Sequence, residues 1–189
     1  MKAFRGIGVV GLALSLTMAI GAAWGAHQEK SAVAPASEAA PEMERLKFYL
    51  GEWDYTETYL KSGAYPDGGK NTGVYTSKLG PGGNSLINGF HSQGAVGDFE
   101  AVLVMTWDPR EKAYKSYIFG NGFPGAVVQT GQFEGDALVF RSEFAAGGAT
   151  VKLRNVTRVI APGKLVSEEY FSAKDAPETL FVRVEATKR

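Results

Sequence analysis

The chain has 189 residues, 44% hydrophobic and 21% charged, which suits one domain with a sizeable core and is too short to expect two. Its 20 basic residues balance 20 acidic ones, so the composition carries no electrostatic footprint for nucleic acid or for an anionic membrane. Cysteine is absent, which excludes thiolate metal sites, cysteine nucleophiles and the acylated cysteine of a lipoprotein.

Residues 1–25 read as a secretory signal peptide. Lys2 and Arg5 form a basic head, and the run from Gly6 to Ala23 is apolar. Ala23-Trp24-Gly25 then puts small residues at positions −3 and −1 of a cut before Ala26. The run approaches the length that spans a bilayer, so an uncleaved anchor is the rival reading. Gly6, Gly8, Gly11 and Gly21 weaken it as a stable span. Cleavage would leave 18 basic against 20 acidic residues, a formal charge of −2. An exported chain without disulfides suits a bacterial periplasmic or secreted protein. Residues 26–41 are rich in Ala, Ser, Pro and charge and contain no aromatic side chain, the composition of a flexible tether.

Order is expected from Pro41 onward, with the domain proper over 42–189. PEMERLKFYLG predicts one short helix: Pro41 suits its first turn, Glu42 and Glu44 lie near its positive end, and Gly51 stops it. Short runs rich in Val, Tyr, Phe and Thr follow, punctuated by Gly, Pro and Asp. They predict ten strands near Trp53–Lys61, Asn71–Leu79, Asn84–Gln93, Phe99–Trp107, Ala113–Gly120, Ala126–Phe133, Ala137–Phe144, Ala149–Ile160, Lys164–Ser172 and Thr179–Ala186. Tight turns such as Glu134-Gly135-Asp136 and Pro162-Gly163 leave no room for a crossover helix, so the strands should run up and down, antiparallel. Closing the meander into a barrel removes its edges.

Alternation assigns the faces. Trp53, Tyr55, Glu57 and Tyr59 should share one side. Leu138, Phe140, Ser142 and Phe144 should point inward, as should Val151, Leu153, Asn155, Thr157 and Val159. Leu180, Val182 and Val184 should face in, against Phe181, Arg183 and Glu185. The runs Asn84–Gln93 and Ala113–Gly120 have no clear inner side.

A short helix leading into Gly51-Glu52-Trp53 at the head of a β meander resembles the calycin superfamily of lipocalins, fatty-acid-binding proteins and nitrobindins. In those barrels the tryptophan packs over the closed end, often against a basic side chain of the last strand. More narrowly, LKFYLGEWDYTETY, LGPGGNSLINGFHSQGAVGDFEA, MTWDPREKAYKSYIF and TGQFEGDALVFRSEF resemble an exported bacterial family catalogued as domain of unknown function 1579. The resemblance runs from about Pro41 to Lys188 and implies an all-β, calycin-like barrel without an established activity. Arg183 falls on the outward face, which leaves Lys188 as the basic partner for Trp53.

Candidate chemistry lies mainly in the barrel interior. Tyr55, Glu57, Tyr59 and Asn155, with Ser142 and Thr157, would set polar groups among Phe99, Leu103, Met105, Phe140 and Phe144, the make-up of a small-molecule pocket. The competing reading is an interior filled by its own side chains. His91, if inward, would be a general acid or base, or the axial haem ligand that the resemblance to nitrobindins implies. Glu57 with Glu169 is a carboxylate pair suited to acid–base work. The Gly120–Gly125 turn is long and aromatic enough to line a barrel mouth. No G-x-S-x-G or H-E-x-x-H is present.

The expected function is therefore binding of a small, largely apolar molecule inside the barrel. Alternatives are an enzyme acting on a small organic substrate there, and an interaction module with a filled core. The sequence requires no cofactor and points to no nucleic-acid partner, nor to a membrane once the signal is removed.

Overall fold

The computed structural model describes residues 38–63, 65–146, 148–173 and 176–189. The expected signal peptide, and the tether as far as residue 37, lie outside them. Ten antiparallel strands follow a short helix: β1 (Gly51–Tyr59), β2 (Gly69–Leu79), β3 (Ser85–Gly94), β4 (Phe99–Asp108), β5 (Ala113–Gly120), β6 (Ala126–Glu134), β7 (Ala137–Ala146), β8 (Ala149–Ala161), β9 (Lys164–Ala173) and β10 (Thr179–Lys188). Each strand pairs with its neighbours in sequence, and β1 pairs with β10, so the meander closes into a barrel. Closure runs from Trp53 opposite Lys188 to Tyr59 opposite Val182, and no strand is left with a free edge.

The helix, Pro41–Tyr49, is a 3₁₀ helix. Three residues per turn stack positions i and i+3, so Met43, Leu46 and Tyr49 form one row. Met43 and Leu46 are buried in a cluster with Leu86, Met105, Tyr114, Leu138 and Phe140. The Tyr114 hydroxyl donates to the Glu42 carbonyl at 2.8 Å, and the Arg45 guanidinium lies 3.6 Å over the Phe133 ring. The helix thus plugs one end of the barrel.

Trp53 sits at the same end and is buried. Its indole N–H donates to the Tyr49 carbonyl at 2.7 Å, its ring stacks on Tyr75 at 5.6 Å, and the Lys188 ammonium lies 5.8 Å over it. Lys188 is therefore the basic partner, while Arg183 pairs outside with Glu168. Gly131 faces inward beneath the Phe140 ring, where a methyl group would meet that ring at 2.4 Å. A glycine here lets a large aromatic side chain cross the barrel floor.

Simple alternation breaks at two register shifts. Phe181, expected outside, lines the interior, because a register shift between Leu180 and Val182 re-aims the side chain. Val159, expected inside, is exposed beside a second shift between Val159 and Ala161, where the pairing that sustains alternation breaks. Among the described residues no helix is long and apolar enough to cross a membrane.

Candidate functional site

The barrel interior is a cavity of about 920 Å³. Its floor is the helix plug and the layer around Tyr49, Tyr75, Met105 and Leu165. Its walls are mostly apolar, with Phe90, Leu103, Ile118, Phe140, Leu153 and Val184 among them. Gly122, Phe123 and Pro124 of the β5–β6 turn line it together with Phe99, Phe144 and Tyr65, which places its aromatic mouth opposite the plug. This volume lies within the range of small-molecule sites.

Alternation on β1 brings Tyr55, Glu57 and Tyr59 to the cavity in one column. Phe99, Leu103, Met105, Phe140, Phe144 and Asn155 line it as well. His91 does not. It is exposed on the outer face, with Val74 and Glu100 as its cross-strand neighbours, because Phe90 and Ser92 take the inward positions of β3. A histidine pointing away from the cavity cannot act inside it, as a haem ligand or as an acid or base. Among the described residues no three His, Cys, Asp or Glu side chains gather to hold a metal ion.

Sequence reasoning passed over Ser92, Asn88 and Ser116, all buried. Ser92 Oγ donates to Glu57 Oε2 at 2.8 Å, and the Tyr59 hydroxyl donates to the same oxygen at 3.1 Å. Asn88 spends its amide N–H₂ on the Leu103 carbonyl at 3.3 Å, leaving Oδ1 without a protein partner. Ser116 Oγ and the Tyr75 hydroxyl are likewise buried and unpaired. The signal available was a polar residue at every other inward position of β3, at Asn88 and Ser92. It was obscured because β5 carries Tyr117 and Phe119 on its exposed face and Ser116 inside.

Glu169 on β9 joins the cavity from the wall beside Glu57. Its carboxylate accepts a long hydrogen bond from Asn155 Nδ2 at 3.4 Å, and Asn155 also donates to Ser167 Oγ at 2.9 Å. Burial and then the neighbouring Glu57 charge push the Glu169 carboxyl up to about 7. Burial also raises Glu57, opposed by its hydrogen bonds from Ser92 and Tyr59. Desolvation holds the Tyr55 phenol up at about 12 and Tyr59 and Tyr75 far above the ordinary tyrosine value, so all three remain neutral donors at physiological pH.

The fold has a solved counterpart. The crystal structure of Rv2717c from M. tuberculosis superposes with a TM-score of 0.57 at 15% identity, covering 80% of this chain and 99% of that one. The S-type phycobiliprotein lyase CPES from Guillardia theta is more distant, with a TM-score of 0.45 at 10% identity over 77% of this chain and 88% of that one. No curated protein matches the sequence. Residues 38–188, the whole barrel with its plug, match the family described as "Protein of unknown function (DUF1579)", and the chain belongs to that family.

Proposed function

We propose that this protein is exported with removal of its signal peptide and that the barrel then holds a small, largely apolar molecule in its interior. The observation that carries the binding reading is the cavity of about 920 Å³, walled by aromatic and aliphatic side chains and supplied with a few converging polar groups. A structural barrel of ten strands would bring bulky side chains together at its axis. Here the middle of the barrel is lined by Asn88, Ser116, Ser142 and Ser167 between the aromatic rings, which leaves room for a guest.

Neutral probes test the reading without assuming a head group. Titration calorimetry with 1-decanol and 2-naphthylethanol should show saturable binding at micromolar concentrations, with an accompanying rise in Tm. Leu103→Trp, which fills the cavity from β4, should weaken both. Absence of binding by either probe would overturn the proposal. An enzymatic reading draws on Glu169, whose titration near neutral pH suits proton transfer inside the cavity. Mass analysis of ligand recovered after incubation separates the two: an unchanged ligand fits binding, a converted one fits catalysis.

A further inference from the structure

Two carboxylates enter the cavity from one stretch of wall. Glu57 lies opposite Val184, and Glu169 lies opposite Val182, so the two residues flank β10 one inward step apart. With two strand spacings of about 4.8 Å across and two residues of about 3.4 Å along, their backbones stand roughly 12 Å apart, a gap that both side chains narrow. Glu57 is only 8% exposed. No cation among the described lining residues answers the pair. Arg154, the one basic residue there, is held by Glu178 at 2.7 Å and lies 4.1 Å over the Tyr170 ring.

A second observation is independent of the carboxylates. Deeper in the cavity Tyr75, Asn88 and Ser116, exposed by 4%, 1% and 1%, each present a polar atom without a protein partner. Buried polar groups are ordinarily satisfied, and leaving one unpaired costs roughly 1–3 kcal/mol. Three in one cavity indicate an interior organised around a guest. A guest with a carboxylate head, such as a fatty acid, would add a third negative charge beside Glu57 and Glu169. A guest with a positive head would neutralise the pair.

We propose that the interior binds a protonated amine carried on an apolar body, with its ammonium group between Glu57 and Glu169 and its body against Phe90, Leu103, Ile118 and Phe140. This rests on the reading of the cavity as a ligand site and narrows it to one chemical class. The raised Glu169 carboxyl agrees with it: the pair already draws in the smallest available cation, a proton. The other titratable groups facing Glu169 are Glu57 and the phenols of Tyr59 and Tyr65, and the phenols stay neutral.

Three ten-carbon probes that differ only in the head group test the inference: decylamine, 1-decanol and decanoic acid, titrated at pH 8 into the wild type and the Glu57→Gln/Glu169→Gln double variant. The wild type should bind decylamine at least tenfold more tightly than 1-decanol, and decanoic acid more weakly than either. In the double variant the ratio of amine to alcohol affinity should fall to about one. Circular dichroism confirms the barrel in each sample, and either single variant, expected to lose part of the ratio, replaces a double variant that misfolds. Equal affinity for amine and alcohol, tighter binding of decanoic acid, or an undiminished ratio in the variants would each overturn the amine assignment alone. Failure of all three probes to bind the wild type would overturn the underlying cavity reading, and the amine assignment with it.

Discussion

Ionising Glu169 puts a second negative charge beside Glu57 in a poorly solvated wall, so the folded chain holds that proton more tightly than the unfolded chain does. A carboxyl raised from 4.5 to about 7 favours the folded state while protonated, and that advantage is lost as pH rises through 7. At about 1.4 kcal/mol per pH unit the full loss is on the order of 3 kcal/mol. Urea melts should therefore show the wild type more stable at pH 5 than at pH 8, and Glu169→Gln should flatten that slope and be the more stable protein at pH 8. The surface carboxylates Asp54, Asp108, Glu134 and Glu178 are all lowered by their partners, so they titrate below this window. An equal slope in wild type and variant would show that Glu169 is solvated. Glu57 was legible in the sequence because it shares a period of two with Tyr55 and Tyr59. Asn88 and Ser116 were not, because their strands carry apolar side chains on both faces and the period disappears.

At the scale of elements, the plug and the first strand act as one unit. The Tyr49 carbonyl receives the Trp53 indole N–H, and Trp53 in turn supports Tyr75 at the cavity floor. Trp53→Ala removes a side chain only 2% exposed, and should cost about 3–5 kcal/mol in a urea melt. A loss below about 1 kcal/mol would mean the ring is not sealing the barrel end. The sequence announced a helix here through Pro41, its early glutamates and Gly51, whose φ of 113° suits glycine. Its 3₁₀ form was not legible, because residues three apart share a face in either kind of helix and the apolar Phe48 and Leu50 blur the row. The shift at Phe181 had no marker either, since an extra residue in a strand leaves no trace in composition.

For the whole molecule, the strand number and the antiparallel order were legible because Gly, Pro and Asp punctuate nearly every turn and no connection is long enough to cross over. The proposal of export has its own measurement. Intact mass of the protein from a secreting host should correspond to a chain beginning at Ala26, and a mass that retains residues 1–25 would refute cleavage.

Ring closure also orders events in time. The contact between Arg189 and Asp54 spans 135 residues, and the β1–β10 ladder beside it joins segments almost as far apart. A nascent chain that has not yet released Thr179–Lys188 has every other strand available but presents β1 and β9 as open edges. Its cavity has a missing wall, between the two strands that carry Glu57 and Glu169. Such a chain cannot complete its fold early, because the last ten-residue strand supplies the closing hydrogen bonds on both sides. The late arrival of β10 therefore keeps the barrel unclosed throughout synthesis of the first nine strands.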